Sequence, residues 1–146
     1  AEALRKRLEE YGLGKRIGVA SAGTFPESGW PADPRSQAAA ARRGYDLSKV
    51  RARGVVADDF ARFDLILGMD EANLEWLKKR APAGHTARLE PLMAHARRHP
   101  GVLVVPDPYY GAAAGFDHVL DLVEDACEGL LPQLQAALGP AAAMPR

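Results

Sequence analysis

Short apolar runs alternate with helical patterns along this chain, and that alternation restricts it to an α/β fold built on a parallel sheet. Ile17-Gly-Val-Ala-Ser21-Ala-Gly23-Thr24 reads as a strand that ends in small residues. Phe63 to Asp70 reads as the next strand, and Glu71 to Arg80 as the helix after it, closed by Ala81-Pro82. Asp70 stands at that strand-to-helix junction, where it either caps the helix or faces a site; capping is the simpler role. Arg88-Leu-Glu-Pro-Leu92 is a short strand or extended piece. Val102 to Val105 carries four apolar residues, three of them β-branched, and reads as a short buried strand that Pro106 and Pro108 end.

The helices follow from period and punctuation. Leu4, Leu8 and Tyr11 share one face of an amphipathic helix that Gly12 stops. No capping residue precedes it, so the helix reads as cut into, with an upstream segment expected. Ser36 to Arg43 is alanine-rich and helical, with Ser36 as a candidate cap and Gly44 as the stop. Asp58-Asp59-Phe60 opens a helical turn, acids at its favourable end. Basic residues between Leu47 and Arg53 read as a solvated face. A stripe through Phe116, Val119, Leu120, Val123, Cys127, Leu130, Leu131 and Leu134 marks a long C-terminal helix. Residues 1–138 read as one domain and residues 139–146 as a flexible tail.

Composition narrows the function. A formal net charge of zero gives no general attraction to nucleic acid or anionic membrane. One cysteine in 146 residues excludes an internal disulfide and fits a reducing compartment, so a cytoplasmic location is expected. No apolar run reaches the length that spans a bilayer. His95 and His99 have the spacing of paired metal ligands on a helix, but two arginines lie between them and Pro100 ends the segment. They read as a solvated loop, and no metal or organic cofactor is expected. Cys127, within an apolar stripe and near Glu124, Asp125 and Glu128, reads as inert packing rather than a nucleophile.

The chemistry converges on Asp107-Pro-Tyr109-Tyr110-Gly111. A carboxylate on a proline-stiffened loop lies at the carboxyl end of a predicted strand, where open α/β sheets bind ligands. An acid beside two aromatic rings suits protonation of an aromatic leaving group. The plainer alternative is an Asp-Pro turn whose tyrosines cover the core edge. Trp30, on a loop with Pro26, Pro31 and Pro34, is either a recognition surface or a lid on the core.

The order of these segments resembles the low-molecular-weight protein tyrosine phosphatases. The likeness rests on Ser21-Ala-Gly-Thr24, Pro31-Ala-Asp33-Pro-Arg35, the run from Asp59 to Leu74, and Asp107 to Gly111 before a long helix. It implies a three-layer α/β domain with a four-stranded parallel sheet whose first strand precedes residue 1. It implies phosphotyrosine hydrolysis through a cysteinyl-phosphate, the nucleophile lying upstream in a Cys-x5-Arg loop that residues 1–146 lack. Carried over by position, Asp107 corresponds to the general acid/base, and Tyr109 and Tyr110 to the aromatic pair beside the substrate ring. Asp33, Arg35, Asp70, Ser21 and Glu2 take supporting places. Glu27 stands where the family often has an aromatic, which leaves Trp30 as the candidate for that wall.

The implied partners are phosphotyrosine proteins, and phosphate or a similar oxyanion at the loop, with the protein a monomer or weak homodimer. Related alternatives are phosphoarginine hydrolysis, arsenate reduction, and a catalytically dead truncated scaffold.

Overall fold

The computed structural model describes residues 1–24, 29–106 and 113–138. Its elements run α1 (Glu2–Glu10), α2 (Pro34–Ala41), α3 (Asp59–Arg62), β1 (Leu65–Gly68), α4 (Glu71–Arg80), β2 (Arg88–Pro91), a 3-10 turn (Leu92–His95) and α5 (Ala113–Leu138). Gly12 takes φ +73° and ends α1, as its position in the sequence predicts. The cap of α2 is Asp33, not Ser36: its carboxylate accepts the Arg35 amide at 2.8 Å. Pro34 then sits in the first turn, where its missing N–H costs nothing, so the helix begins two residues earlier than expected. In α4, Asp70 accepts the Asn73 amide at 2.7 Å, while Lys78, Lys79 and Arg80 complement the dipole at the other end.

β1 and β2 pair in parallel, Leu65 opposite Arg88 and Gly68 opposite Pro91. Two predicted strands are not strands among the described residues. Ile17 to Thr24 makes only an isolated parallel bridge, Gly23 to Gly54. Val102 to Val105 is joined to the sheet only where the Val105 amide donates to the Met69 carbonyl at 2.8 Å. A β-rich run becomes a strand only when a neighbour meets its amides in register, and neither run has such a neighbour here. Nor is Val102 to Val105 buried throughout: Val105 is, but Leu103 is 66% exposed.

The core lies along α5, on which α1, α2 and the 3-10 turn all pack. Cys127 joins Ala3, Ala40 and Tyr45; Leu131 joins Leu8 and Leu13; Leu122 and Ala126 meet Leu92, Met93 and Val105. Leu122 and Ala126 widen the stripe beyond the sequence reading. No helix among the described residues is long and apolar enough to cross a membrane.

The expectation of a solvated loop at His95 and His99 is corrected. His95 is buried, with Nε2 3.0 Å from Glu90 Oε1 and Nδ1 taking the Gln133 side-chain amide at 2.8 Å. His99 Nδ1 lies 2.7 Å from Asp125 Oδ2. Each imidazole thus has its own carboxylate, which satisfies the polar ring inside the fold.

Candidate active site

The carboxyl end of β1 is where the chain's small and polar residues gather. Gly68 is required there, because a Cβ would come within 2.9 Å of the Leu74 side chain as α4 turns back on the strand. Asn73 ties the turn together: its Oδ1 accepts the Met69 amide at 3.2 Å, and its Nδ2 lies 3.5 Å from Thr24 Oγ1. Asp70 is thereby occupied as a helix cap, the simpler of its two expected roles. The Val105 bond to Met69 brings the chain to this same edge just before Pro106. Asp107, Tyr109 and Tyr110 lie outside the described residues, as does Glu27.

A strap formed by residues 51–55 runs beside Gly23, the neighbour of Thr24. The Gly23 amide donates to the Arg53 carbonyl at 2.9 Å, and the Val55 amide to the Gly23 carbonyl at 3.1 Å. Two more bonds, Ala52 N–H to the Trp30 carbonyl and Gly29 N–H to the Ala52 carbonyl, both at 2.8 Å, fasten Trp30 beside it. Trp30 is 63% exposed, so it is not a lid on the core. The strap is pinned by Asp59, whose oxygens take the Arg53 guanidinium at 3.0 and 3.2 Å and the Val56 amide at 2.9 Å. Burial pushes the Asp59 carboxyl up, but Arg53 and the Val56 amide outweigh it and hold the group below the usual carboxylate range. Sequence reasoning missed this pair: Asp59 read as a helix-opening acid and Arg53 as solvated surface.

The remaining supporting residues divide by place. The hydrogen bonds from Arg35 keep the Asp33 carboxyl below its usual range, donated by its amide at 2.8 Å, by Nε at 3.2 Å and by an η nitrogen at 3.0 Å. The same guanidinium lies 4.8 Å from the centre of the Phe116 ring, a cation–π contact at the start of α5. Asp33 and Arg35 therefore border the point where the chain returns from residues 107–112. Glu2 pairs with Arg5, which donates to the Val19 carbonyl at 2.7 Å and so tethers the amino end of α1 to the segment leading to Ser21. Ser21 itself is exposed.

Cys127 packs against Ala3 at the amino end of α1. It is buried, and burial pushes its thiol up to about 11. At neutral pH the thiolate is then roughly one part in ten thousand, too little for a nucleophile.

Comparison with known proteins gives one answer. The family model described as low molecular weight phosphotyrosine protein phosphatase matches residues 1–139. A low molecular weight protein-tyrosine-phosphatase of Streptomyces coelicolor is 41% identical over 143 residues, covering 90% of this chain and 82% of the relative. The human low molecular weight phosphotyrosine protein phosphatase is 34% identical over 133 residues, covering 90% and 84%. A crystal structure of a protein tyrosine phosphatase from Entamoeba histolytica, with Hepes in its active site, superposes with a TM-score of 0.88 at 33% identity, covering 94% of this chain and 87% of that one. With its α/β architecture matched along nearly its whole length, the chain belongs to the low molecular weight phosphotyrosine protein phosphatase family, whose members are hydrolases of protein phosphotyrosine.

Proposed function

We propose that Asp107 is the proton donor, and then the base, of a two-step phosphoryl transfer from phosphotyrosine. In the first step a thiolate bonds to phosphorus as the bond from phosphorus to the tyrosyl oxygen breaks, and Asp107 protonates that oxygen. In the second, Asp107 takes a proton from water, whose oxygen bonds to phosphorus as the thiolate leaves. The burial of Cys127 argues against it as the attacking sulfur, so the thiolate is assigned to a residue outside these 146. Tyr109, Tyr110 and Trp30 border the substrate ring; Asp33, Arg35, Asp70, Ser21 and Glu2 hold the surrounding loops.

The observation that carries this reading is the Val105 amide on the Met69 carbonyl. It delivers the chain to the carboxyl end of β1 two residues before Asp107, at the edge where Thr24 and Asn73 meet. Phosphotyrosine is favoured over phosphoarginine and arsenate because two tyrosines suit a flat aromatic ring, and because Cys127 offers no accessible second thiol for arsenate reduction. A dead scaffold is disfavoured by the retention of the Asp-Pro-Tyr-Tyr-Gly loop. A cytoplasmic monomer, or a homodimer formed weakly through Tyr109 and Tyr110, completes the reading.

Asp107→Asn in the protein carrying its phosphate-binding loop tests it. Turnover of a phosphotyrosine peptide is expected to fall by about a hundred- to ten-thousand-fold, the usual worth of a placed acid/base. Equal turnover would remove Asp107 from the role.

A further inference from the structure

We infer that Arg51 makes this phosphatase favour phosphotyrosine sites that have an acidic residue nearby in the same peptide. The inference rests on the placement of the tyrosine site given above and adds a determinant of which peptides enter it. Arg51 is bridged in antiparallel register to Pro31, next to the exposed Trp30. Its guanidinium donates to two backbone carbonyls, Ser48 at 2.9 Å and Val50 at 3.0 Å. Those bonds fix the group without neutralising it, and the side chain stays exposed.

The neighbouring charges differ from Arg51 in their partners. Arg53 is neutralised by Asp59 and Arg35 by Asp33. Asp46, an acid on the same loop, accepts from the Ser48 amide at 2.9 Å and hydroxyl at 2.6 Å and keeps its charge. Lys49 is exposed and offsets Asp46, which leaves Arg51 as the charge not balanced on this stretch among the described residues. The formal net charge of the protein is zero, so this is a local field and not a general attraction to acidic partners.

Reach agrees with charge. Two residues of extended chain, about 7 Å, separate Arg51 from Arg53, whose carbonyl holds Gly23 beside Thr24. A bound peptide advances about 3.3 Å per residue, so a carboxylate two or three residues from the phosphotyrosine spans about the same length as the strap from Arg53 to Arg51. The Trp30 ring supplies an apolar surface for the stem of that side chain.

The test compares kcat/KM for two phosphotyrosine peptides that differ only by Glu or Gln at the second and third flanking positions. At low ionic strength the acidic peptide is expected to lead by about two- to five-fold, the yield of one exposed ion pair, and to lose that lead in high salt. The ratio should fall to about one in Arg51→Gln, drop below one in Arg51→Glu, and persist in Arg51→Lys. A wild-type ratio of one, or a ratio unchanged in Arg51→Glu, overturns the inference. The ratio is independent of which group donates the proton, because loss of that group slows both peptides alike.

Discussion

Asp125→Asn keeps the shape of a buried side chain and removes its charge. The Asp125 carboxylate is 1% exposed. It accepts the Arg97 amide at 2.9 Å and the Arg98 amide at 3.0 Å, and lies 2.7 Å from His99 Nδ1. Burial pushes this carboxyl up, but the two amides and the imidazole outweigh it and hold the group at about 2, against an ordinary 3.8. At 1.36 kcal/mol per pK unit, that difference supplies about 2 kcal/mol of folding stability at neutral pH. Asparagine forfeits it and turns a donor toward an amide, so the total loss is about 2–4 kcal/mol, or roughly 6–12 °C in Tm for a domain of this size. The sign with pH follows from the depressed folded value. The contribution is complete above the unfolded pKa of 3.8, falls to about half by pH 3, and vanishes below 2. Urea unfolding followed by the fluorescence of Trp30 and Trp76 reads the midpoint of each protein. Wild type and variant should differ by a constant amount from pH 7 down to about 5, and the gap should then narrow. Equal midpoints at pH 7, or a gap undiminished at pH 3, would refute the charge argument.

Two further substitutions separate packing from chemistry. Gly129→Ala raises helix propensity by about 1 kcal/mol, yet its Cβ would overlap the carbonyl oxygen of His95, so we expect net destabilisation of at least about 2 kcal/mol in the same unfolding assay; a more stable variant would show that α5 and the 3-10 turn do not approach so closely. Cys127→Ala should leave phosphatase turnover intact and cost about 1 kcal/mol of stability, since the thiol serves only the packing around Ala3, Ala40 and Tyr45; loss of turnover with the fold preserved would return Cys127 to the chemistry.

Elements marked by local punctuation were legible in the sequence. Gly12 and Gly44 end their helices in the left-handed region, and α4 runs from Glu71 to Arg80 as its cap and Ala81-Pro82 predict. Strands were less legible, because β-branched runs report a half-buried environment and carry no information about a neighbour. Val102 to Val105 has the composition of a strand and one bond to the sheet. The strap at residues 51–55 was invisible for a related reason: nothing in Arg53 or Asp59 taken alone shows that they face each other across six residues. His95 and His99 read as solvated because their burial depends on partners remote in sequence, Gln133 and Asp125, that no local pattern reveals. The resemblance implies a supporting place for Asp33, but the sequence offers Ser36, three residues on, as the cap of α2 that Asp33 in fact provides.

The loop proposed to carry the proton donor is anchored on both sides by α5. On the approach, Asp125 fixes the amides of Arg97 and Arg98, and the Val102 amide bonds the His99 carbonyl at 3.2 Å. From there the chain reaches β1 through Val105, itself packed against Leu122 and Ala126 of α5. On the return, Phe116 in the first turns of α5 lies under the Arg35 guanidinium, which Asp33 holds in place. The long C-terminal helix is therefore a platform for the proposed catalytic loop as well as the centre of the core.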